Sequence, residues 1–187
     1  MKNLRIKVTL LATISLPLYC TLTSCSNYTS SINIIGLNDY HGFVQQYHNN
    51  DNYEELVKAV ADTYLTIKDK NPDGTYFLLL GDNSDGTAIS LFTDQEAGDD
   101  LLESFHPHYS VLGNHELYYD VDTCLDPNSE YSFTKSLGID CYLSCNSYWY
   151  AGKTSEYCDY FKPYVIEKIG DLNVGIVGYT TSNVTYG

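Results

Sequence analysis

The chain has 187 residues, with 24 acidic side chains against 10 basic ones and a formal net charge of −14. That length holds one domain with a sizeable core rather than two, and a 43% apolar content excludes a disordered polar chain. After residue 25 all 24 acids stand against seven lysines and no arginine, a balance that repels a phosphate backbone, excludes nucleic acid as a partner and favours divalent cations.

The N-terminus concentrates its positive charge in Lys2, Arg5 and Lys7, and an apolar and hydroxyl-rich run follows over residues 8–22. This order reads as an export signal over residues 1–25, because the run is too short to span a bilayer. The tetrad Leu22-Thr23-Ser24-Cys25 resembles a bacterial lipobox, in which Cys25 is acylated and becomes the mature N-terminus. The expectation is a protein held at the cell surface or in the periplasm, touching the membrane only through its signal or lipid. An ordinary cleaved signal would leave it secreted. Sequons at Asn27 and Asn183 matter only in a eukaryote. Four cysteines remain beyond Cys25, namely Cys124, Cys141, Cys145 and Cys158. In an exported chain an even number so closely spaced predicts disulfides, with three pairings open, against a four-thiolate zinc site that lacks any C-x-x-C pair and free buried thiols where no oxidising pathway exists.

Residues 32–38 (INIIGLN) form a short β-branched run that predicts a strand. Residues 51–70 place Leu56, Val57, Val60, Ala61, Tyr64 and Ile67 on one helical face, and Asn71-Pro72-Asp73-Gly74 stops the helix. The continuous apolar run 76–80 (YFLLL) predicts a strand buried on both faces. A helix over 95–105, a strand over 109–112, a short helix over 131–137 and a strand near 141–145 follow. Residues 164–169 and 172–180 read as a hairpin turning at Gly170-Asp171. The alternation predicts a layered α/β domain over residues 26–187.

Three of these strands end in chemistry: Asn38-Asp39-Tyr40-His41-Gly42, Gly81-Asp82-Asn83 with Gly86, and Gly113-Asn114-His115-Glu116. Ligands of an open α/β sheet gather beyond the carboxyl ends of its strands, so the clusters are expected to converge. Two aspartates, two histidines and an asparagine make a mixed oxygen and imidazole set suited to zinc, manganese or iron. His106-Pro107-His108 has ligand spacing but precedes its strand. His48 lies in a polar loop and reads as solvated.

The pattern D-x-H, G-D-x-x-x-G and G-N-H-E is similar to that of the calcineurin-like metallophosphoesterases. GLNDYHGFV, SVLGNHELYYD and FKPYVIEKIGDLNVGIVGYTT resemble the 5′-nucleotidase and UDP-sugar hydrolase branch, over residues 32–181. The resemblance implies a layered α/β/β/α sandwich, of which this chain is the N-terminal portion, incomplete at the C-terminus. It also implies a nucleotide or nucleotide-sugar substrate and two divalent ions, whether zinc, manganese, magnesium or calcium. Asp39 and His41 would hold one metal, Asp82 would bridge both, Asn114 would hold the second, and His115 would be the catalytic histidine beside the phosphate.

The chain departs from that pattern in two ways. The family completes its centre with later histidines, yet none follows His115 here. Where the family places a ring-orienting aspartate three residues after its catalytic histidine, this chain has Tyr118, and the nearest following aspartate is Asp120. Two readings follow: an exported phosphohydrolase of nucleotides, or a truncated, inactive relic that binds divalent cations weakly. Activity of these residues alone is expected to be very low. The missing part of the second sheet is expected to leave an apolar face or strand edge open.

Overall fold

The computed structural model describes residues 5–12, 19–23, 31–42, 52–151 and 154–181. Strands β1 (Arg5–Ala12), β2 (Tyr19–Thr23) and β3 (Ser31–Asn38) precede the long helix α1 (Asn52–Lys70). Strand β4 (Thr75–Leu79) leads to helices α2 (Ala88–Phe92) and α3 (Glu96–Glu103), then β5 (Tyr109–Val111). Helix α4 (Phe133–Ser136) and strand β6 (Cys141–Leu143) come next. Two hairpins finish the chain: β7 (Tyr148–Ala151) with β8 (Thr154–Tyr157), and β9 (Tyr164–Ile169) with β10 (Leu172–Val177).

The main sheet has the order β2-β1-β3-β4-β5-β6 and is parallel except for β2. Its two faces are both covered, as the unbroken apolar run of β4 requires. Phe77 and Leu79 point to the helix side, where they pack with Tyr64 of α1, Leu102 of α3 and Phe133 of α4. Tyr76 and Leu78 point the other way, into a second core with Ile32, Tyr109, Leu143 and the inner residues of the β9–β10 hairpin. Glu167 of β9 joins these layers, accepting hydrogen bonds from the hydroxyls of Tyr76 and Tyr109. Burial and then the Glu167 charge push the Tyr76 hydroxyl up to about 12. Helix α1 carries Lys68 and Lys70 in its last turn, where they complement the helix dipole, and the Pro72–Gly74 turn ends it. The described residues thus form an α layer, the main sheet and a two-stranded layer. The outer face of that hairpin exposes Tyr164, Ile166 and Val177.

Several features differ from the sequence reading. Residues assigned there to an export signal are paired strands, with β1 running parallel to β3 from Arg5 opposite Ser31 to Ala12 opposite Asn38. The β7–β8 hairpin was not expected. Its strands are only four residues each, and the Gly152-Lys153 pair between them is the one turn signal in that stretch. The expected disulfides are corrected: Cys124, Cys141, Cys145 and Cys158 are all free thiols. Cys141 packs in the core beneath the hairpin, while Cys124 and Cys158 pack on the helix side of the sheet. Burial pushes the thiols of Cys124, Cys141 and Cys158 up, which keeps them protonated and unreactive. Cys25, Asn27, His48 and Asn183 lie outside the described residues. Among the described residues, no helix is long and apolar enough to cross a membrane.

Candidate active site

Because β3, β4 and β5 are parallel neighbours, their carboxyl ends lie side by side at one edge of the sheet. The loops that leave them continue the ladder for a few residues. Asp39 N–H donates to the Gly81 carbonyl at 3.2 Å, His41 N–H to Asp82 at 2.9 Å and Gly42 N–H to Asn83 at 2.7 Å. This zipper forces an unusual backbone. Asp39, His41 and Asp82 have φ of 52°, 54° and 53°, a left-handed region that L residues avoid and that costs about 1–3 kcal/mol at each position. All three were candidate ligands on sequence grounds. Strain of this kind persists where the surroundings hold it in place, and it gathers at functional sites.

Glu116 supplies much of that holding. It is 1% exposed. Its carboxylate accepts from the backbone N–H of Asp82 at 3.0 Å, of Asn83 at 2.7 Å and of Gly113 at 2.8 Å, and from the Asn83 side-chain amide at 3.1 Å. One side chain therefore ties the β4 loop to the β5 loop. Burial pushes the Glu116 carboxyl up, and the backbone donors pull it back in part. The two loops also meet through the His115 N–H, which donates to Asp82 Oδ1 at 2.8 Å. Gly113 makes that approach feasible, since a Cβ there would stand 2.1 Å from Asp82 Oδ1. The sequence reading quoted Glu116 only as part of its motif. A lone acid directly after an apolar strand and its glycine was the available signal.

The structure brings His41, Asp82 and His115 together, with one donor atom of each within 4.8 Å of the others. The two imidazoles meet edge to face, with centroids 4.6 Å apart. Asp39 flanks this group, its Oδ1 lying 3.7 Å from His41 Nε2 and its side chain 54% exposed. Asn114 stands next to His115 in the β5 loop, where its side-chain amide donates to the Tyr118 hydroxyl at 3.2 Å. All five candidates thus occupy one edge, and His115, read as the catalytic histidine, lies inside the group of donors able to hold a cation. Two nitrogens and a carboxylate, with Asp39 and Asn114 alongside, fit a borderline divalent metal. His108 does not join them. Its Nδ1 accepts the Phe77 N–H at 3.2 Å, its ring lies 4.7 Å from that of Tyr76, and burial lowers its pKa, so its part is structural.

The calcineurin-like phosphoesterase family model matches residues 32–181. Among solved structures, the chain is similar to the NAD nucleotidase NadN of Haemophilus influenzae, with 22% identity and a TM-score of 0.56 over 80% of this chain and 26% of that one. It is similar also to the calcineurin-like phosphoesterase YfkN of Bacillus subtilis, with 14% identity and a TM-score of 0.52 over 97% of this chain and 50% of that one. At such identities the likeness is one of fold. Among curated proteins nothing matches. The chain spans about a quarter of the length of the first of these structures and half of the second.

Proposed function

The chain belongs to the calcineurin-like phosphoesterase family, and from that premise we propose that it is a metal-dependent phosphohydrolase acting on the phosphomonoester of a nucleotide. The observation that carries this reading is the convergence of His41, Asp82 and His115 at the ends of three parallel strands. The motif text and the fold shared with a nucleotidase support the choice of nucleotide over other phosphate esters. Asp39, His41, Asp82 and Asn114 would hold one or two divalent ions. A bound ion supplies Lewis-acid polarisation of a phosphoryl oxygen.

The remaining chemistry belongs to the chain. Asp82, 9% exposed and fixed by the His115 amide, keeps an acid group at the sheet edge without motion of its loop. His115 is the side chain suited to exchange a proton with the leaving oxygen near neutral pH. An acidic body around the site favours cations but repels free anionic substrate, so the nucleotide is expected to be recognised with its counter-cation. Export and acylation at Cys25 belong to the same proposal and rest on the charge order of the first 25 residues.

A second reading, a non-catalytic cation-binding surface protein, rests on the excess of acids, 24 against seven lysines after residue 25. Phosphate release from AMP by the purified full chain, with manganese, zinc, magnesium or calcium supplied in turn, separates the two. Weak hydrolysis that EDTA stops and Asp82→Ala abolishes is expected. Cation binding without any release of phosphate would leave the second reading in place.

A further inference from the structure

The β4 loop contributes a second acid besides Asp82. Asp85 reaches both histidines of the site through different atoms. Its main-chain carbonyl lies 2.7 Å from His41 Nδ1. Its carboxylate Oδ2 lies 3.6 Å from His115 Nδ1, within ion-pair range and just beyond a hydrogen bond. His115 Nδ1 is buried and makes no hydrogen bond among the described residues. The Asp85 side chain is only 18% exposed and lies against Tyr119, whose hydroxyl is driven up by burial and then by the Asp85 charge. Gly86 shapes this corner, because its φ is +140° and a Cβ there would stand 2.6 Å from His41 Nδ1. Tyr118 packs its ring 5.1 Å from that of His115 but brings no acceptor to Nδ1: it is 61% exposed, and its hydroxyl accepts from Asn114.

A neutral imidazole carries one proton, and the nitrogen that faces a pure acceptor keeps it. A carbonyl and an ionised carboxylate are both pure acceptors. We propose that Asp85 is a positioning residue that holds His41 and His115 in the same tautomer, protonated on Nδ1, so that both Nε2 atoms present a lone pair. For His41 that lone pair lies beside Asp39, where a cation would need it. For His115 it is the atom left to exchange a proton. The use of this arrangement rests on the phosphohydrolase reading, whereas its geometry does not.

Long-range proton–nitrogen spectra of the ¹⁵N-labelled full chain test it, recorded without cation or substrate at a pH where the rings are neutral. Both histidines are expected to show a protonated Nδ1 and a bare Nε2. In Asp85→Ala the His115 signals should move to the Nε2-protonated pattern or to a mixture, while His41 keeps its own because the carbonyl remains. Asp85→Glu should restore His115 at least in part. A wild-type His115 protonated on Nε2, or one that Asp85→Ala leaves unchanged, would overturn the proposal. The wild-type spectrum needs no variant, so the test stands even where Asp85→Ala does not fold. A wrong tautomer would leave the hydrolase reading intact, and absent hydrolysis with the expected tautomers would do the reverse.

Discussion

Three side chains of the site sit on backbone that a non-glycine residue seldom adopts, and at Asp82 it is the bonds of Glu116 that keep it there. Its carboxylate collects donors from Asp82, Asn83 and Gly113, and at 1% exposure water cannot replace it. Glu116→Gln keeps the size but turns an N–H donor towards backbone donors. The expected loss is about 2–3 kcal/mol in urea unfolding, the scale of hydrogen bonds to a buried charge. Weaker cation binding should accompany it, because the Asp82 loop loses its anchor. An unchanged unfolding midpoint would show that the loops hold their shape without Glu116. Glu116 is a letter of its motif and Asp85 only an unspecified position of G-D-x-x-x-G, and nothing in their spacing tells which atoms they meet. Asp85 lies thirty residues before His115, and a partner that distant is set by the strand order.

At the level of elements, the parts read most directly from sequence were those with strong periodicity or unambiguous punctuation. The 76–80 run became β4, the helical face of 51–70 became α1, and Gly170-Asp171 marked the turn between β9 and β10. The β7–β8 hairpin carries only Gly152-Lys153 between strands of four residues, too short for a clear alternation. The disulfide expectation failed because cysteine counting carries no distances: Cys141 lies across the sheet from Cys124 and Cys158, and those two share a face without being joined. The first 25 residues present a sharper conflict, since an apolar, β-branched run suits an export signal and a parallel strand equally well. The two readings differ in mass. If the proposed processing occurs, intact mass spectrometry of the native protein will show a chain starting at acylated Cys25. Loss of β1 and β2 would then leave β3 as an unpaired edge, joining the exposed Tyr164, Ile166 and Val177 face of the hairpin. A variant lacking residues 1–24 should therefore self-associate with rising concentration in sedimentation runs, as apolar edges do. A native chain retaining Met1 would instead assign β1 and β2 to the working fold.

Over the whole molecule, one question is whether cations meet a site or merely a field. A formal charge of −14 repels itself, and any salt relieves that repulsion by screening. A site behaves differently, because an ion bound only by the folded chain stabilises it by an amount that grows with the logarithm of its free concentration over its dissociation constant, about 2.7 kcal/mol at a hundredfold excess. His41, Asp82 and Asn114 follow three separate strands, so they gather only in the folded state and meet that condition. Micromolar-range additions of manganese or zinc should raise the unfolding midpoint of the wild type, and EDTA should return it. Asp82→Ala should lose this rise. Glu167→Gln is the matched control, since Glu167 lies beneath the opposite face of the sheet, bonded to Tyr76 and Tyr109. It removes one negative charge, as Asp82→Ala does, and should lower the starting midpoint while keeping the cation response. A rise that survives in Asp82→Ala would assign the effect to screening of the acidic surface and take the metal centre away from these three residues.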